Sequence, residues 1–92
     1  VSINKVEIIN MALAAESRAE HWRVKIERGD LRQNGTVYPD MVRRITLTDA
    51  NANKEIVEVF RGSSCKDKAH KWLAEQTGGA FGTADDTAWF WL

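Results

Sequence analysis

His21 and His70 are the only two histidines of the sequence, and Cys65 is its only thiol. A cysteine followed by a histidine has the residue types of a nucleophile and its base. Five residues along a helix, however, rotate the two about 140° apart, so they do not meet there. A thiolate is favoured near a helix start, but the plainer reading of Cys65 is a small side chain in a first helical turn. Metal binding needs three or four convergent ligands, and two isolated histidines with one cysteine have none of the usual ligand spacings. His21 reads as a surface or capping residue at an element junction, and His70 as lying on the solvated face of a helix. Asp85 and Asp86 are adjacent carboxylates, whereas paired acid and base chemistry needs two that face each other across a cleft. Gly78-Gly79-Ala80-Phe81-Gly82 lacks the Gly-Lys-Ser/Thr ending of a phosphate loop and follows a helix instead of a strand. No catalytic residue, no metal and no cofactor is therefore expected. Binding, not catalysis, is the class these residues favour.

The elements that would carry a binding surface follow from periodicity. Residues 4–20 predict a helix: Asn4 and Glu7 have capping-box spacing, Val6, Ile9 and Leu13 recur at helical intervals, and four alanines raise helix propensity. Trp22 to Glu27 alternates apolar and charged residues, which predicts a strand with one buried face. A polar stretch from Gly29 to Asp40 reads as a long loop containing the hairpin-turn dipeptide Asn34-Gly35 and the single proline, Pro39. Met41–Thr48 predicts a second strand, with Ile45 and Leu47 facing one way and Arg44, Thr46 and Thr48 the other. Residues 49–53 have turn chemistry, and Glu55–Arg61 predicts a third strand with Val57 and Val59 opposite Glu58 and Phe60. Ser64 with Asp67 opens a helix that Gly78-Gly79 ends. Trp89-Phe90-Trp91-Leu92 reads as a short further strand or a hydrophobic flap. The expected fold is α+β: an antiparallel three- or four-stranded sheet with two helices packed on one face, in helix–meander–helix order.

Length and composition bound the rest. Ninety-two residues form one domain, 1–92, with a thin core. With 43% hydrophobic and 28% charged residues the chain has a globular, not a disordered, composition. No apolar run reaches the roughly 18 residues of a membrane span, no signal-peptide pattern opens the sequence, and a lone cysteine suits a reducing compartment. Thirteen Lys and Arg balance 13 Asp and Glu, yet the balance is uneven along the chain. Residues 18–71 carry twelve basic and eight acidic side chains, whereas residues 72–92 carry three acids and no Lys or Arg. A basic middle and an acidic end can orient a protein on a partner that displays both signs.

Two clusters are the candidate contact residues. Arg28, Arg32, Gln33 and Asn34 lie in or beside the expected loop, where side chains reach a partner. Arg61, Ser63, Ser64, Lys66, Lys68 and Lys71 surround the start of the second helix, whose free N–H groups attract anions. Trp22 and Trp72 are expected against the core.

The expected element order, with Ser64 and lysines opening the last helix, resembles a double-stranded RNA-binding domain, a family that grips phosphates there with a Lys-Lys-x-Ala-Lys run. In Cys65-Lys66-Asp67-Lys68-Ala69-His70-Lys71 only Lys66 holds a family lysine position, and the family's Gly-Pro-x-His loop is absent. A second resemblance spans the chain. From Asn4 to Ala15 (NKVEIINMALAA), from His21 to Asp30 (HWRVKIERGD) and at the Trp89–Leu92 end it is similar to small phage-encoded anti-CRISPR proteins, in particular the eighth family of type I-F inhibitors. That resemblance implies a non-enzymatic inhibitor in the cytoplasm of a bacterial host. Its implied partners are subunits of the CRISPR-associated surveillance complex, with guide RNA as a further contact, and its implied action is to block pairing of target DNA with the guide.

Overall fold

Four strands and one helix follow one another: β1 (Val6–Ala19), β2 (Trp22–Gln33), β3 (Thr36–Asp49), β4 (Lys54–Arg61) and α1 (Cys65–Thr77). This computed structural model describes residues 5–81, so the Asn4 cap, Asp85, Asp86 and the aromatic tail fall outside the described residues. The strands pair antiparallel in chain order, β1-β2-β3-β4, as one meander. Glu20-His21 and Asn34-Gly35 make two-residue hairpin turns, and the Asn34-Gly35 pair takes the positive φ values, 52° and 80°, that such turns require. Asp49 caps the longer β3–β4 turn by accepting the N–H groups of Asn51 and Ala52 at 3.0 and 3.3 Å.

Alternation within the strands decides where the core lies. Val24 and Ile26 pair with Leu47 and Ile45, and all four side chains are buried on the face that α1 covers with Ala69 and Leu73. Ala15 and Phe81 complete the cluster, with Ala19, Trp22, Phe60 and Trp72 packed around it. The helix runs as predicted from Ser64 to Gly78, whose left-handed backbone ends it while Gly79 N–H bonds the Ala74 carbonyl at 2.9 Å. Ser64 makes no side-chain capping bond. His70 is buried, contrary to the solvated position expected for it, because it follows Ala69 on the side of α1 that meets the sheet.

The two-helix sandwich is overturned. Residues 6–19 form a 14-residue strand paired with β2, so among the described residues a mostly β fold carries a single helix. The reason is visible in the register. β1 slips against β2 between Ile9 and Ala12 and again between Leu13 and Ala15, each slip adding one residue to β1. Those extra residues dephase the two-residue alternation and leave Val6, Ile9 and Leu13 at spacings that imitate a helix. The three do not share one face: Val6 and Leu13 lie opposite Gln33 and Glu27, Ile9 opposite Asp30, and odd and even residues of β2 point oppositely. Pairing with β2 on both sides of the bulges, from Val6 to Ala19, overrides the alanines' helix propensity. With no first helix, the helix–meander–helix order behind the likeness to double-stranded RNA-binding domains is not present. The expected 29–40 loop is likewise replaced by the paired ends of β2 and β3.

Candidate binding surfaces

Two bulges face each other across Asp30. On β1, Asn10 adopts φ 53°, and on β3, Asp40 adopts φ 59°, both residue types that tolerate the left-handed region. Asn10 Nδ2 donates to Asp30 Oδ2 at 2.9 Å, and the Asp40 backbone N–H donates to Asp30 Oδ1 at 2.9 Å. The Asp40 carboxylate then receives two guanidinium groups. Arg28 donates through Nε and Nη2 at 3.0 and 2.9 Å, and Arg43 through Nη1 and Nη2 at 2.7 and 3.3 Å. Arg43 is buried, and its Nη1 also donates to the Val42 carbonyl at 3.1 Å. Burial pushes the Asp40 carboxyl up, but the hydrogen bonds from Arg43 and Arg28, with their charges, outweigh it and hold the group below its ordinary value. Asp30 is held low by the Asn10 amide and the Asp40 N–H. This network closes the bulges.

That geometry assigns places to the predicted contact residues. Arg28 is engaged by Asp40. Arg32 lies 3.4 Å from Glu7 across the β1–β2 pair, Gln33 stands between Val6 and Thr36 in the sheet, and Asn34 forms the turn. Arg61, Ser63, Ser64, Lys66, Lys68 and Lys71 are all exposed around the β4–α1 junction. Gly62 N–H bonds the Met41 carbonyl at 2.9 Å, which seats that junction beside the Asp40 bulge. Asn34 is roughly 20 Å further along the sheet, at about 3.3 Å per strand residue. The two predicted clusters are therefore separate surfaces, and Arg28, held by Asp40, lies toward the second of them.

A third surface emerges from the register. The face of the sheet away from α1 presents Leu13, Glu16 and Arg18 of β1, Arg23, Lys25 and Glu27 of β2, Arg44, Thr46 and Thr48 of β3, and Glu55, Val57 and Val59 of β4. Glu27 and Arg44 form a two-pronged ion pair at 2.9 and 2.8 Å, and the hydrogen bond from Arg44 holds the Glu27 carboxyl below its ordinary value. Arg18 stands directly opposite Arg23, two like charges on adjacent strands, and neither lies within 4 Å of a carboxylate among the described residues. Two shallow depressions of about 550 and 380 Å³ adjoin them and share Glu16 and Arg23 in their walls. The sequence pattern does not reveal the Arg18–Arg23 pair, because a helix over residues 4–20 would keep Arg18 from facing Arg23.

The remaining reactive side chains are accounted for by the fold. Cys65 is buried with its thiol 3.9 Å from the Asp40 carbonyl, and His21 lies over Trp22 with its Nε2 3.6 Å from Asp49 Oδ1. Among the described residues no three His, Cys, Asp or Glu side chains converge as a metal site requires. No helix among them is long and apolar enough to cross a membrane. No protein-family model matches the chain, and no curated protein or solved structure shows significant similarity to it.

Proposed function

We propose that this chain is a non-enzymatic binding protein that acts through the face of its sheet opposite α1. Its resemblance to phage anti-CRISPR inhibitors supplies the specific reading. The partner is the type I-F RNA-guided surveillance complex, and the effect is to keep target DNA from pairing with the guide. The observation that carries the binding role is Arg18 directly opposite Arg23, without an ion partner among the described residues, on a face that α1 does not cover. Like charges placed opposite each other weaken a sheet, so the arrangement suits an acidic partner group that would bridge them. Glu16 and Glu55 interrupt the basic row. A surface of alternating sign fits a protein with interspersed carboxylates better than an unbroken ladder of phosphates. The exposed Arg61, Ser63, Ser64, Lys66, Lys68 and Lys71 junction is the place for any contact with guide RNA.

The test is to mix the chain with purified type I-F surveillance complex, follow co-elution by size exclusion, and measure target-DNA binding by fluorescence anisotropy. Co-elution and loss of DNA binding are expected, with both weakened at least about tenfold when Arg18→Glu and Arg23→Glu are combined. If the chain elutes separately and DNA binding is undiminished, the surveillance-complex reading fails.

A further inference from the structure

The sheet ends in strand edges that differ in one respect. The β1 edge is broken by two register slips and the left-handed Asn10. The stretch of β3 that extends past β4 contains Pro39, which has no N–H to donate, and the left-handed Asp40. β4 is regular. All eight of its residues, Lys54–Arg61, pair in unbroken register with Asp49–Val42, with no glycine, proline or positive φ among them. Its outer backbone groups have no strand beside them among the described residues.

Its charged side chains make no ion pair among the described residues. Ion pairs at Glu7–Arg32, Arg28–Asp40, Arg43–Asp40 and Glu27–Arg44 connect β1, β2 and β3. None involves Lys54, Glu55, Glu58 or Arg61, all four of them exposed. Val57, in the middle of the same strand, is 51% exposed. A regular edge with exposed β-branched residues is a template for another strand.

We propose that β4 pairs antiparallel with β4 of a second copy of this chain, with the two-fold axis at Glu58, making one continuous eight-stranded sheet. The order of residues selects this register. An axis perpendicular to the sheet keeps equivalent faces together, so opposed positions must have the same parity. Centring on Glu58 sets Glu55 opposite Arg61 of the second copy, Ile56 opposite Phe60 and Val57 opposite Val59, each combination occurring twice. Opposite charges meet opposite charges, and apolar meets apolar, over residues 55–61. Moving the partner by two residues one way sets Glu55 against Val59 and Ile56 against Glu58. The other way sets Glu58 against Phe60 and Val57 against Arg61. The chosen register has one repulsive element, Glu58 against itself. With a strand edge much smaller than a standard interface of roughly 800 Å² per partner, that repulsion makes a weak, concentration-dependent dimer. This inference is independent of the partner proposed above.

Sedimentation equilibrium of the full chain over a wide concentration range tests it. Reversible dimerisation is expected, strengthened about two- to fivefold by Glu58→Gln. Glu55→Arg alone and Arg61→Glu alone each set like charges together at both ends of the pairing and should weaken the homodimer at least about tenfold. An equimolar mixture of these two variants restores both ion pairs and should form a heterodimer, and the double variant should dimerise like the parent. Circular dichroism confirms that each variant is folded, as expected for exposed positions. The proposal is overturned if the parent and Glu58→Gln both stay monomeric. It is equally overturned if the single variants dimerise unchanged, or if their mixture stays monomeric.

Discussion

Arg43 is buried, yet its guanidinium ends 2.7 Å from the carboxylate of Asp40, three residues earlier on the same strand. The spacing works because Asp40 sits in a bulge with left-handed backbone, which turns its side chain back toward Arg43. Asp40→Asn removes the charge that this guanidinium meets at 2.7 Å. A fully buried broken pair costs about 3–5 kcal/mol, but Asp40 is 45% exposed, so a loss of about 1–2 kcal/mol is expected. Urea denaturation measures it.

Acid should act on the same group. Asp40, Asp30 and Glu27 all have folded-state pKa values below their ordinary ones, so each contributes stability above its unfolded pKa, near 4, and loses it as pH falls through the folded value. The contribution of these three carboxylates should be constant above about pH 5 and decline as pH falls below about 4. The Asp40→Asn variant should show a shallower acid limb, read from denaturation midpoints between those pH values.

Gly29 is held as glycine by β1. A Cβ there would collide with the Met11 sulfur and approach the Ile9 carbonyl to 3.0 Å. Gly29→Ala should destabilise by about 1–3 kcal/mol, the usual range for overpacking. Adding Met11→Ala should recover part of that loss, and thermal unfolding of the single and double variants gives the coupling.

Arg18→Glu should separate stability from binding. It converts a like-charged cross-strand pair with Arg23 into an opposite one, so a gain of roughly 0.2–1 kcal/mol is expected. The same change should weaken association with the proposed partner. A variant that loses stability and binding together would show instead that Arg18 supports the fold.

Much of the architecture was legible from local chemistry. Strict alternation from Trp22 to Glu27, the Asn34-Gly35 dipeptide, the Ile45/Leu47 face and the Gly78-Gly79 stop each specify local backbone by themselves. The candidate site was less legible. The exposed helix-start residues could be picked from sequence because their neighbours are local. Arg28 and Arg32 look like free loop cations until Asp40 and Glu7, distant in sequence, arrive beside them.

The sequence by itself determined the strand faces over Trp22–Glu27, Met41–Thr48 and Glu55–Arg61, the helix from Cys65 to Thr77 and the uneven charge along the chain. These depend on period, turn and capping preferences, which act within a few residues. Only the tertiary structure decided the state of Val6–Ala19 and the partners of the arginines. A bulged strand hides its alternation, and alanines favour a helix until a neighbouring strand supplies hydrogen bonds along most of the segment. Register then decides which charges meet: Arg18 faces Arg23 because the two-residue Glu20-His21 turn sets Ala19 against Trp22, and the two slips further along β1 decide what Leu13 and Ile9 face.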